Sequence, residues 1–187
     1  MSKARKQGPL ILVVGPSGVG KDTLIAGARA QLGDAGRFVF PRRYITRPAD
    51  YGGEDHVPVT PEAFNLMLSG GEFLLHWSAH GFHYGVPGAI VDDLRNGCAV
   101  VVNGSRGVVE DARARISPFH AVHVTASRDV IAERLSSRGR ESAEQSQRRL
   151  DRKVASAGVG DVVFRNDLPV KQAITAFADV LTRLSLR

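Results

Sequence analysis

The sequence predicts an α/β domain in which helices flank a parallel sheet, and three observations carry that prediction. Residues 10–14 (LILVV), 99–102 (AVVV), 121–125 (AVHVT) and 161–164 (DVVF) are short apolar runs rich in β-branched residues, each leading into a helical stretch. That alternation is the pattern of βαβ units. The first run ends in GPSGVGK, residues 15–21, a glycine-rich turn between strand and helix. Residues 41–86 break the alternation with a stretch rich in proline and glycine, so they form an insertion between the first and second βα units.

Taken in order, a helix follows the glycine-rich turn from Lys21. The insertion opens with PRRYITRPADYGGEDH and continues with a helix started by Thr60 and Pro61 in TPEAF. It closes with EFLLHWSAHGFHYGV, which reads as a two-stranded ribbon turned at Gly81. Further helical stretches cover 108–115, 127–138 and 169–184; Ser127 is placed to cap the second and Pro169 lies in the first turn of the third. There is no internal repeat, low-complexity tract or dividing linker. The expectation is one domain over residues 1–187, with a core of about 8–40 and 98–187 and an inserted acceptor-binding region of about 41–97. An arginine-rich lid is expected over about 134–153.

No apolar run approaches the ~20 residues of a membrane-spanning helix. The apolar run after the basic start MSKARK is shorter than that of a signal peptide and leads straight into the loop motif, so it reads as a tail before the first strand. A single cysteine, Cys98, cannot form an internal disulfide; beside AVVV it is expected in the core of a cytoplasmic protein. The net charge of +6 points to anionic partners. Nucleic acid is not among them, because aromatics are only 6% of the chain and the arginines fall in separate short groups. Small phosphorylated molecules fit better.

GPSGVGK matches G-x-x-x-x-G-K in the strand-to-helix context that gives this motif its specificity. Gly15, Gly18 and Gly20 let the backbone turn, so that N–H groups from Gly15, Pro16, Ser17, Gly18, Val19 and Gly20 (proline excepted) surround phosphate oxygens of ATP. Lys21 would bridge the β- and γ-phosphates. The next position ordinarily supplies a hydroxyl to Mg²⁺, and here it is Asp22, followed by Thr23. Either the Asp22 carboxylate binds the metal, a harder ligand that adds charge, or it complements the positive helix end while Thr23 or water serves the metal.

Phosphoryl transfer needs positioned positive charge more than covalent chemistry. Two arginine groups are available: Arg42, Arg43 and Arg47 in the insertion, and Arg134, Arg138, Arg140, Arg148 and Arg149 in the lid segment, where Gly139 marks a hinge-like turn.

The loop GPSGVGKDTL, then YITRP, HGFHYGVP, ERLSSRGRE and VFRND follow the order and spacing of guanylate-kinase-like P-loop kinases. The resemblance covers essentially the whole chain. Within that superfamily GKD, RYITR, HYGV, VNGSR and RGRE resemble the ribose 1,5-bisphosphate phosphokinases, which use ATP to make 5-phosphoribosyl 1-diphosphate in phosphonate breakdown.

The resemblance implies a P-loop fold of guanylate-kinase type, ATP and Mg²⁺ as cofactors, and a small sugar phosphate as acceptor, with a monomer and a homodimer both open. It implies catalytic roles for Lys21, Arg134, Arg138 and Arg149. Arg47 and Tyr84 would hold an acceptor phosphate, with His56 in place of the family's tyrosine and Arg42 or Arg43 compensating for a missing second arginine. Guanylate kinases read guanine with a glutamate and a serine or threonine where this chain has Leu75 and Val86, so guanine recognition is expected to be lost. Their acidic residues at the end of the second core strand become Asn103, Gly104 and Ser105 here. The expectation is that Asp22 supplies the metal carboxylate instead, and that Asn103, Ser105 and Arg106 face the sugar phosphate, a turn with a helix cap being the alternative. Asn166 and Asp167 fall where the family's ATP site meets adenine, a strand-to-helix turn being the alternative. His76, His80 and His83 have no metal-ligand spacing. Nucleoside monophosphate kinase and a non-catalytic binding module are the competing functions.

Overall fold

A computed structural model describes residues 6–33, 36–49, 54–136 and 162–186. In chain order the strands are β1 (Leu10–Val14), β2 (Phe38–Val39), β3 (Tyr44–Ile45), β4 (Val57–Pro58), β5 (Phe73–Ala79), β6 (Phe82–Pro87), β7 (Ala99–Asn103), β8 (Phe119–Thr125) and β9 (Val162–Arg165). The helices are α1 (Lys21–Leu32), α2 (Pro61–Ser69), α3 (Ile90–Arg95), α4 (Val109–Arg115), α5 (Arg128–Ser136) and α6 (Val170–Ser185). A five-stranded parallel sheet runs β2-β7-β1-β8-β9, and a four-stranded mixed sheet runs β4-β3-β6-β5.

β1 is central and covered on both faces, which is why LILVV reads as a continuous apolar run rather than an alternating one. Ile11 and Val13 face Leu24 and Ala28 of α1 and Phe177 and Leu181 of α6. Leu10, Leu12 and Val14 face the other way, onto Ile90 and Leu94 of α3, Val109 and Ala112 of α4, and Leu75 and Val86 of the second sheet. Each of the Val, Leu, Ile and Phe side chains among them contributes about 1.5–3 kcal/mol on burial. The layers therefore fix where the strand ends point. β1 ends at the glycine-rich loop, and β7 pairs beside it so that Val13 lies opposite Asn103. Ligands of parallel sheets bind at these carboxyl ends.

Helix starts follow the local chemistry. Thr60 accepts from the Ala63 N–H at 3.2 Å with Pro61 in the first turn of α2, and Ser127 Oγ accepts from the Val130 N–H at 3.4 Å at the head of α5. The sequence reading missed β2, whose ladder is two residues long, and the six-residue α3. It also saw only the β5–β6 ribbon, turned at His80 and Gly81 with positive φ, where the structure adds β3 and β4 to make four strands. Cys98 is partly exposed just before β7, with Sγ 3.9 Å from the Gly36 carbonyl, and so is not the core residue expected. Among the described residues no helix is long and apolar enough to cross a membrane.

Candidate active site

The loop folds as its glycines require. Gly20 stands at the head of α1 with φ 93°, and a Cβ there would lie 2.6 Å from the Asn166 amide nitrogen. At Gly15, φ is 154° and a Cβ would lie 2.4 Å from the Val124 carbonyl oxygen. Both positions combine a left-handed backbone with a close approach, so only glycine fits.

Lys21 Nζ donates to the carbonyls of Gly15 (2.8 Å) and Pro16 (3.0 Å). Burial brings its pKa down from 10.5 to about 8; Asp22 and Glu54 oppose the shift, while Arg43 and Arg106 add to it. The ammonium is thus desolvated beside the loop, the condition in which a bound anion interacts most strongly with it.

Behind the loop, Asn166 is buried and donates its amide to the Val19 carbonyl at 2.8 Å, while its backbone N–H donates to Thr125 at 2.7 Å. Arg134 reaches the same region, donating to Val19 O (3.2 Å) and Asn166 O (3.1 Å). These residues border a cavity of about 230 Å³ with Gly20, Thr23 and Val170. Arg134 and Asn166 are therefore tied to the back of the phosphate loop. Asp167 accepts from the Ser127 N–H at 2.7 Å and pairs with Arg165, joining β9 to the start of α5. The other lid arginines, Arg138, Arg140, Arg148 and Arg149, lie outside the described residues.

In front of the loop a cavity of about 700 Å³ is bordered by Lys21, Arg43, Arg47 and Arg106, by Asp22 and Glu54, and by Trp77, Tyr84, Asn103 and Ser105. Asn103 donates its one amide group to two carboxylates, Asp22 Oδ1 at 2.7 Å and Glu54 Oε2 at 3.2 Å. Glu54 in turn pairs with Arg43, whose guanidinium lies over the rings of Trp77 (5.3 Å) and Tyr84 (5.1 Å). Those two rings stack nearly parallel, 5.4 Å apart. Asp22, Asn103, Glu54 and Arg43 also border a neighbouring cavity of about 660 Å³ reaching Arg29 and Phe40, so the four form the wall between the two spaces.

Arg47 has buried Nε and Nη2 atoms with no hydrogen-bond partner, and Arg43 has a buried Nε without one. Burial pushes the Tyr84 phenol pKa up, against the opposing effect of Arg47 and Arg43, so it stays an O–H donor. Ser105 Oγ accepts from the Gly107 N–H at 3.3 Å and caps the short turn that carries Arg106.

The expectations for His56, Arg42 and Asn103 need correction. His56 does not face an acceptor: it is buried, with Nδ1 3.0 Å from the Glu54 carbonyl and Nε2 2.9 Å from the Arg47 carbonyl, and it clamps two backbone segments. Arg42 is likewise spent, on Asp55 Oδ1 (2.9 Å) and the His56 carbonyl (2.6 Å). The Asn103 amide is held between carboxylates and is not free for a sugar phosphate. Leu75 and Val86 are paired across β5 and β6 and sit in the core, so neither presents a polar group. His83 bonds Ser78 Oγ at 2.8 Å, and no group of three metal-ligating residues occurs among the described residues. Glu54 is the residue the sequence reading missed; an acid inside the arginine-rich insertion was the available signal.

A glycine-rich phosphate loop on a parallel sheet, with a second sheet closing a cation-lined cavity over it, defines a P-loop α/β protein of guanylate-kinase type. A guanylate kinase structure from Anaplasma phagocytophilum superposes with a TM-score of 0.70 at 16% identity, covering 98% of this chain and 89% of that one. A family model described as an AAA domain (AAA_18) matches residues 11–155. The ribose 1,5-bisphosphate phosphokinase PhnN of Acidiphilium cryptum is 47% identical over 178 residues, 95% of this chain and 94% of that one. The chain belongs to the ribose 1,5-bisphosphate phosphokinase family. The bifunctional ribose 1,5-bisphosphokinase-thymidine phosphorylase of Azorhizobium caulinodans is 45% identical over 182 residues, 96% of this chain and 26% of that one. The chain thus spans about a quarter of the length of such bifunctional relatives.

Proposed function

We propose that the protein transfers the γ-phosphoryl group of ATP to the 1-phosphate of ribose 1,5-bisphosphate, giving 5-phosphoribosyl 1-diphosphate and ADP. The observation that carries this reading is the single cavity holding the loop lysine, three arginines and Tyr84 but no polar group at positions 75 or 86. It is built for phosphates and not for a purine edge.

The attacking oxygen belongs to a phosphate that is ionised at neutral pH, so no general base is needed. It attacks the γ-phosphorus in line; the new P–O bond forms as the bond to the ADP oxygen breaks, and ADP leaves with that electron pair. Lys21 leaves its loop carbonyls to meet the β- and γ-phosphates and neutralises charge on the equatorial oxygens. Arg47 and Tyr84 hold an acceptor phosphate with donors that are otherwise unpaired or neutral. Arg134 steadies the loop through Val19; the catalytic roles expected of Arg138 and Arg149 fall outside the described residues.

The residues present fit Mg²⁺, since Asp22 and Glu54 place hard carboxylate oxygens beside the loop, oriented by a shared amide. Asp22 would hold the ion, which would shield the triphosphate's charge. This reading places the enzyme in the cytoplasm, acting on small anions. Phosphorus-31 NMR of a reaction with ATP, Mg²⁺ and ribose 1,5-bisphosphate tests it: a new coupled diphosphate pair attached to the sugar should grow with ADP, and ADP formed without it would refute the assignment.

A further inference from the structure

Two arginines bordering the front cavity, Arg43 and Arg47, carry buried N–H groups without an acceptor, where one acceptor phosphate needs one arginine. Arg43 is 7% exposed, and its Nε–H is buried with no acceptor. Arg47 has two such nitrogens. Leaving a buried charged donor unpaired is costly, and native structures rarely do so unless a ligand or an ordered water completes the bonding. The two groups are held in separate settings. Arg43 is fixed by Glu54 and by the Trp77–Tyr84 stack, in the wall shared by both large cavities. The Arg47 backbone is held at its carbonyl by His56, and Arg47 borders the loop cavity and not its neighbour. Both arginines act on the Tyr84 phenol, each opposing the rise that burial causes.

From this arrangement we infer that the acceptor site has two anion stations, Arg43 at one and Arg47 at the other, and that each takes one phosphate of the bisphosphate. The inference rests on the proposed substrate and says how it is recognised. Glu54 is the counter-ion that holds the Arg43 guanidinium over the two rings until a phosphate reaches it. Selectivity for a bisphosphorylated over a monophosphorylated ribose then needs both arginines. Each charge-assisted station accounts for roughly a ten- to hundredfold change in affinity.

Trp77 is the only tryptophan in the chain and lies in the stack beneath Arg43, so its fluorescence, with calorimetry alongside, reports occupancy without turnover. Ribose 1,5-bisphosphate, ribose 1-phosphate and ribose 5-phosphate would be titrated in the absence of ATP into the wild type, Arg43→Gln, Arg47→Gln and the double variant Arg43→Gln/Glu54→Gln. The double variant removes both charges of the buried pair and keeps the shape of both side chains, so it serves if the single variant fails to fold. The wild type should bind the bisphosphate about a hundredfold more tightly than either monophosphate. Each arginine variant should lower bisphosphate binding to the monophosphate level, and the two should lose different monophosphates, in either sense. Loss of the same monophosphate by both, or unchanged bisphosphate binding in both Arg43 variants, would overturn the two stations while leaving the substrate assignment standing. A wild type that neither binds nor phosphorylates ribose 1,5-bisphosphate would overturn both.

Discussion

Lys21 is a buried ammonium held in reserve on its own loop, with a pKa brought down to about 8 chiefly by burial. The pH dependence follows from the sign. Below pH 8 the free enzyme carries the charge that ATP needs, and above it the charge is lost. The value of kcat/KM for ATP should therefore be level up to about pH 8 and fall about tenfold per unit beyond it, whereas kcat should hold to higher pH, because bound triphosphate favours the ammonium. A kcat/KM that stays level to pH 10 would contradict this. Lys21→Ala should lower kcat by at least about 10²–10³; near-normal turnover would remove Lys21 from the mechanism. Asp22→Asn should weaken Mn²⁺ binding to the ADP complex by roughly tenfold or more, read by the paramagnetic resonance of free Mn²⁺. Unchanged Mn²⁺ affinity would leave Asp22 as a helix-end charge bonded to Asn103.

The elements that carry the site are two strand ends and a ribbon, and their cores limit what can be re-engineered. Leu75 and Val86, which the sequence resemblance sets against the base-reading positions of guanylate kinases, pack on Leu10, Leu12, Ile90 and Leu94. Leu75→Glu should therefore cost stability rather than create a guanine site: about 3–5 kcal/mol, or on the order of 10 °C in melting temperature. Calorimetry and a GMP assay check it together; a stable variant that phosphorylates GMP would show that position 75 opens into the site. The loop, its helix and the Thr60 and Ser127 caps were legible in the sequence because their signals are local. The wall of the cavity was not. Asn103 meets Asp22 across 81 residues and Glu54 across 49, and no periodicity reports such a meeting. His56 and Arg42 were misread for the same reason, since being basic in the insertion did not show that backbone carbonyls would engage them.

Across the whole molecule, the five-stranded sheet sets the phosphate loop beside the end of β7, and the four-stranded sheet brings Arg43, Arg47, Trp77 and Tyr84 over it. The parallel sheet was predictable from its apolar runs, save for β2 at its edge, whose two residues are too few for a pattern. Packing Leu75 and Val86 of the second sheet against β1 joins the two sheets through one core, which fixes the Arg43 and Arg47 side of the cavity relative to the loop. The account as a whole stands on what that cavity phosphorylates. A coupled ADP-release assay with ATP and Mg²⁺, comparing ribose 1,5-bisphosphate with GMP, AMP and no acceptor, tests it most directly. Turnover confined to ribose 1,5-bisphosphate is the expected result, and GMP turnover of comparable size would contradict it.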